Sequence, residues 1–183
     1  MSELANPAAD ARAAAAAYTA ALLARLGGRD PLAVARATPD ALQRAVAGLS
    51  ARQLGTPEAP GKWSVAQVLY HLADSELVSG YRFRMILAED RPPLQGYDQD
   101  RWVARLHPEP ADTAAAVADA LEEIAVLRRA NLRLLERASA EDHARVGLHS
   151  ERGEESLGHL VRLFAGHDVA HLQQLERIRA AIG

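Results

Sequence analysis

Residues 156–178, SLGHLVRLFAGHDVAHLQQLERI, decide how the rest of the chain is read. Leu160, Phe164, His167, His171, Leu175, Ile178 and Ile182 follow one another in three- and four-residue steps, so a helix over about 156–181 turns all of them toward one side. Two imidazoles therefore stand where a helix normally buries leucine. Their positions lie one turn apart, a rise of roughly 6 Å, which lets two side chains on one helix share a metal ion. HDVAH resembles the HExxH pattern of zinc proteases, but Asp168 replaces the glutamate and only a dozen residues follow His171. Any further ligand must come from upstream.

The remaining sequence predicts the scaffold around this helix. Alanine and leucine dominate the apolar residues, aromatics make up 4%, and no apolar run has a period of two. That composition predicts an all-α fold of closely packed helices, and the four long and several shorter helical segments, joined by long connections, predict a bundle other than simple up-and-down. The length of 183 residues suits a single domain over 1–183, with an N-terminal helix within 1–29 and the rest of the bundle over 30–183. A helix over 8–26 should end at Gly27-Gly28, and Asp30-Pro31 should lead into a short turn. Thr38-Pro39 then predicts a capped helix over 39–49. Ser64 and Gln67 form a capping-box pattern that starts a helix running to about Glu89, where Pro92-Pro93 forbids continuation. Residues 92–110 read as a long functional connection, and 112–137 as the third long helix, with Val117, Leu121, Ile124, Leu127, Leu132 and Leu135 available to the core.

Several function classes are excluded or disfavoured at once. A net charge of −3 with scattered basic residues provides no face for nucleic acid. No stretch approaches transmembrane length, and Asp10 and Arg12 interrupt the alanine-rich start, so the expectation is a soluble cytoplasmic protein without a membrane partner. There are no cysteines, which leaves His, Asp and Glu as metal ligands and requires any thiol chemistry to use an external thiol.

Seven histidines are present, and five lie outside the pair. His107, His143 and His149 fall in polar or proline-rich connections and are expected in solvent. His159 is displaced from His167 by roughly 12 Å along the helix and about 80° around it. His71 lies well inside the helix that Ser64 starts, among Val68, Leu72 and Val78 and one turn before the small Ser75, and is the expected third ligand. The alternative is a pair of buried imidazoles satisfied by Asp74, Asp168 or water.

Three ordered blocks, PGKWSVAQVLYHLADSE, YRFRMILAEDRPPLQGYDQDRW and SLGHLVRLFAGHDVAHLQQLERI, resemble the DinB-like superfamily, close to its DinB_2 branch, from about residue 30 to the end. The resemblance implies a four-helix bundle with an atypical connection order. It also implies a divalent metal, zinc or nickel foremost, held by the residues that match the family's ligand positions, His71, His167 and His171. Three protein ligands leave positions open to water or substrate. Relatives that use a low-molecular-weight thiol as substrate make a metal-dependent thiol S-transferase the leading expectation, because coordination lowers a thiol's pKa. Metal-assisted hydrolysis, with Glu76 or Asp168 as base, and a non-catalytic metal-stabilised binding bundle are the alternatives.

A small-molecule substrate and a homodimer are expected partners. Arg82, Tyr97, Asp98 and Trp102 are candidates for the pocket mouth, with Arg82 holding an anionic group. The competing reading has Asp98 and Asp100 capping a turn or pairing with Arg82 and Arg84. Trp63, Tyr81 and Phe83 read as core packing.

Overall fold

The computed structural model describes residues 11–108 and 110–183, so the predicted start of the N-terminal helix at residue 8 lies outside the described residues. Four long helices form the bundle: α2 (Pro31–Val46), α4 (Val65–Ala88), α6 (Thr113–Leu135) and α8 (Leu157–Ile182). Around the bundle α4 packs on α6, α6 on α2, α2 on α8, and α8 back on α4. Helices consecutive in the chain, α2 and α4, therefore sit on a diagonal, as do α6 and α8. An up-and-down bundle would make them neighbours. The connections make this order possible, with the short α3 (Ala51–Gly55) between α2 and α4 and α5 (Gln99–Leu106) between α4 and α6.

A fifth long segment, α1 (Ala11–Leu26), packs against α8 and buries Leu22 and Leu26. It ends as the Gly27-Gly28 pair predicts, with Gly27 at φ +61 and its N–H donating to the Leu23 carbonyl. Where α1 crosses α8, the backbones come close at Gly166. A methyl group there would collide with the carbonyl of Leu22.

Capping signals place most helix ends. Ser64 accepts from the Gln67 N–H while Gln67 Oε1 accepts from the Ser64 N–H, completing the expected box at α4. Asp112 and Ser156 cap α6 and α8, within two residues of the predicted limits. The prediction fails at α2. The helix starts at Pro31, capped by Asp30, and runs straight through Pro39. Asp30-Pro31 and Thr38-Pro39 carry the same cap-then-proline signature, and the chain uses the first. Proline at 39 has no N–H for the Ala35 carbonyl, and that carbonyl instead accepts from Arg128 Nη1 at 2.8 Å.

The fold is predominantly helical as expected, with one small sheet that the sequence did not signal. β1 (Pro93–Leu94) pairs in parallel with β2 (Val146–His149), and β2 pairs antiparallel with β3 (Gly153–Ser156). Strands of two to four residues are too short to show a period-two pattern in sequence. Helix α7 (Ala140–Ala144) leads into β2. The burial of β2 alternates, with Gly147 and His149 turned inward.

Two apolar clusters fill the bundle. One contains Leu69 of α4, Val117 and Ile124 of α6, and Leu175 and Ile178 of α8. The other contains Phe83 and Ile86 of α4, Leu132 and Leu135 of α6, and Leu160 and Phe164 of α8. On all three helices buried polar residues stand between the clusters: His71, Ser75 and Glu76; Arg128 and Asn131; His167, Asp168 and His171. A polar layer thus crosses the middle of the bundle. Tyr81, expected in the core, is 61% exposed, because the inward face of α4 carries Gly80 and Phe83 instead. Among the described residues, no helix is long and apolar enough to cross a membrane.

Candidate metal centre and its cavity

Because α4 and α8 are neighbours, His71 meets the pair on α8. His71 Nε2 lies 2.9 Å from His167 Nε2, which lies 3.0 Å from His171 Nε2. The three ligand nitrogens fall within 4.8 Å of one another and all three residues are buried. His159 remains apart, beside Glu155.

The donor set itself tests whether a cation fits. His171 Nδ1 carries its proton toward Gln174 Oε1 at 2.8 Å, which leaves a lone pair on its Nε2. Burial drives the pKa of His71 and of His171 well below the usual histidine value, and the neighbouring imidazoles add to it. Burial, with the charge of Arg128 behind it, brings His167 down to about 4. All three rings are therefore neutral near pH 7. Neutral rings cannot satisfy both short Nε2 contacts with ordinary hydrogen bonds, since His167 Nε2 sits between two nitrogens and has at most one proton. A cation accepted by three lone pairs removes the conflict, so the residues fit a divalent metal.

Behind the histidines lies a charged cluster that the sequence reading missed. Arg128 of α6 donates through Nη1 to Asp168 Oδ2 at 2.6 Å and through Nη2 to Asp168 Oδ1 at 2.9 Å. Its Nε donates to Glu76 Oε1 at 2.5 Å, and Asn131 Nδ2 donates to Glu76 Oε2 at 3.1 Å. Thr38 Oγ1 of α2 lies 3.0 Å from Asp168 Oδ2 and 2.9 Å from the Val34 carbonyl. The guanidinium also sits over the Phe164 ring, 4.3 Å from its centroid. Burial lowers the pKa of Arg128, but its bonds and attraction to Asp168 and Glu76 outweigh this and raise it overall. Burial pushes Glu76 up to about 7 against the attraction of Arg128. Glu76 and Asp168 are thus neither solvated nor available as free bases, contrary to both sequence-based readings of them. The signal was present: Arg128 follows Ile124 by four residues and precedes Leu132 by four, on the buried stripe of α6.

A cavity of about 100 Å³ opens beside the histidines. His71 and His167 line it, together with Ser75, Ser79 and Arg82 along α4, Tyr97 of the connection, Phe164 of α8 and His149 of β2. Ser75 Oγ lies 3.5 Å from His71 Nε2 and 3.1 Å from the Tyr97 hydroxyl. Burial raises the pKa of Tyr97, so its hydroxyl keeps its proton as a donor. The four pocket candidates divide. Arg82 and Tyr97 line the cavity, whereas Asp98 caps α5 by accepting from the Arg101 N–H at 2.9 Å, and Trp102 packs on Tyr97 with ring centroids 4.5 Å apart. Trp63 and Phe83 are buried, the first beside His71 at 5.0 Å between ring centroids.

His107 and His149 depart from the expectation of solvent exposure. His107 Nε2 bonds Asp74 Oδ2 at 3.0 Å and its ring stacks on Tyr70, while His149 is only 4% exposed. The β2–β3 turn folds over His149, which isolated connection residues do not reveal in sequence.

The chain is 30% identical over 141 residues to proteins of Bacillus cereus and of Bacillus thuringiensis subsp. konkukian, each named "Putative metal-dependent hydrolase", covering 77% of this chain and 79% of each relative. Among solved structures it is similar to YfiT from Bacillus subtilis, described as "a probable metal-dependent hydrolase with an unusual four-helix bundle topology". That likeness has a TM-score of 0.69 and 28% identity, and covers 82% of this chain and 86% of YfiT. The diagonal placement of consecutive helices agrees with that description. Residues 35–175 match the DinB_2 family model, described as the DinB superfamily, and the chain belongs to that superfamily.

Proposed function

We propose that this protein is a metal-dependent hydrolase of a small molecule, with a divalent ion, zinc or nickel foremost, held by His71, His167 and His171. The observation that carries this reading is the convergence of three neutral, buried Nε2 atoms beside a cavity that His71 and His167 line. The names of the relatives support hydrolysis over other chemistry. A metal bound there would supply Lewis acidity and a nucleophile of lowered pKa.

The chain's own groups define what happens around that point. Gln174 holds the tautomer of His171, and the Arg128–Asp168 pair fixes the α8 backbone beside His167. Tyr97, protonated and hydrogen-bonded to Ser75, offers an O–H to a substrate oxygen near His71. Phe164, Leu160 and Leu163 line the cavity with apolar surface and limit water.

Thiol S-transfer is the second reading, supported by the absence of cysteine from a chain whose three-ligand set leaves room for an external thiolate. The metal-loaded protein, tested on esters and amides with and without added low-molecular-weight thiols, separates them. Hydrolysis requires turnover without thiol; turnover only with thiol overturns it in favour of transfer. No turnover with either, together with a large loss of melting temperature on chelation, favours the metal-stabilised binding bundle.

A further inference from the structure

The cavity continues along α4 well past the histidines. His71, Ser75, Val78, Ser79 and Arg82 lie along α4, and the last stands eleven positions after the first, roughly 16 Å of rise. At the Arg82 end the lining is rich in hydrogen-bond donors. His149 Nδ1 accepts from the backbone N–H groups of Glu151 and Arg152 at 3.2 and 3.4 Å, so the ring's proton is on Nε2. That Nε2–H is buried and has no partner among the described residues. Arg82 is in the same state at one of its nitrogens: Nη2 donates to the Gln95 carbonyl at 2.5 Å, while the buried Nε–H has no partner among the described residues. Arg152 cannot play the same part, because Glu155 holds it through two bonds of 2.6 and 2.8 Å. Glu151 also borders the cavity and is itself engaged.

Arg82 and His149 both line the cavity, and each holds one buried donor without a partner among the described residues, which costs stability unless a ligand, with a small side-chain adjustment, brings an acceptor to it. The required ligand group has acceptors and no protons of its own, and it carries negative charge to match the guanidinium. We propose that the Arg82–His149 end of the cavity binds a carboxylate of the substrate, so that the protein acts on small organic acids whose reacting group reaches the three histidines. This rests on the reading above that the histidine end is where the substrate reacts. Burial and the nearby guanidinium groups hold the His149 pKa down, to about 3, so its ring serves as a neutral donor and the charge match falls to Arg82.

Titration of the chelator-stripped and the metal-loaded protein with butyrate, butyramide and inorganic phosphate, followed by the imidazole ¹⁵N resonances of His149, tests the assignment. Butyrate should shift the Nε2 resonance saturably in both forms, and butyramide should bind at least tenfold more weakly. Arg82→Gln should weaken butyrate at least tenfold, and His149→Phe should weaken it in a calorimetric titration. Equal binding of acid and amide, unchanged binding in Arg82→Gln, or tighter binding of phosphate than butyrate would overturn the assignment. Binding confined to the metal-loaded form would also overturn it, because the acid would then be ligating the ion. The stripped-protein titration does not depend on the metal, so failure of the metal reading and failure of this subsite are separable.

Discussion

Arg128 holds both carboxylate oxygens of Asp168, the residue that directly follows His167. The same guanidinium takes the Ala35 carbonyl that Pro39 leaves free and binds Glu76 of α4. One side chain of α6 therefore ties α2, α4 and α8 together immediately behind the histidines. Replacing it with methionine leaves two buried carboxylates without their cation, and chemical denaturation should show a loss of about 3–5 kcal/mol. Lys at this position should recover only part of that, since it cannot donate to both carboxylates with the same fixed fork. A loss below about 1 kcal/mol for Arg128→Met would show that the cluster does not organise the bundle.

Gln174 is expected to act on metal affinity without touching the metal. It fixes the His171 proton on Nδ1, and orienting partners of this kind are worth roughly 10–100-fold in affinity. Gln174→Leu should show that loss in a chelator competition while leaving the helical circular dichroism unchanged. Wild-type affinity in the variant would remove Gln174 from the site.

Acid should weaken the metal-free protein. His71, His167, His171 and His149 all have folded-state pKa values below the ordinary 6.5, with His167 near 4 and His149 near 3. Between pH 6.5 and about 4 the unfolded chain binds more protons than the folded one, so stability falls as pH falls through that window. Each such group contributes up to about 1.4 kcal/mol per pH unit. Glu76 opposes this, because its value of about 7 lies above the unfolded 4.5 and favours the folded state on acidification. Asp74, whose pKa burial also raises, opposes it as well, and four groups against two give a net decrease, so the melting temperature at pH 5 should lie below that at pH 7.5. His149→Phe should make the dependence shallower.

Much of this architecture could be read before any coordinates. Ser64 and Gln67 fixed the start of α4, the periodic apolar residues set α6 and α8, and the resemblance named the three histidines that the fold brings together. Local signals of this kind depend on residues within one or two turns. What escaped depends on partners far apart in the chain. Arg128 meets residues 40 and 52 positions away, and its spacing from Ile124 and Leu132 marks it as buried without naming those partners. Pro39 was misplaced because a proline inside a helix is tolerated only where something else takes the freed carbonyl, here that same arginine. Asp98 and Trp102 follow Tyr97 closely in sequence, but Asp98 is taken up as the N-cap of α5 and Trp102 packs behind Tyr97 without lining the cavity.

The crossing of α1 on α8 gives a further test near the site. A methyl group at Gly166 would collide with the Leu22 backbone, so Gly166→Ala should cost about 1–3 kcal/mol and loosen α1, measured by hydrogen exchange at its amides. Gly28→Ala, with open space around it, is the control and should change little. Similar protection of α1 in both variants would contradict the close approach.

The central claim is that His71, His167 and His171 hold one ion between α4 and α8. Elemental analysis of tag-free protein and of its single alanine variants at these three positions measures this directly. The account predicts one divalent ion per chain in the parent and a loss of stoichiometric metal in each variant that remains folded. Full occupancy in all three variants, or a parent that binds no divalent ion when supplied with one, would contradict it.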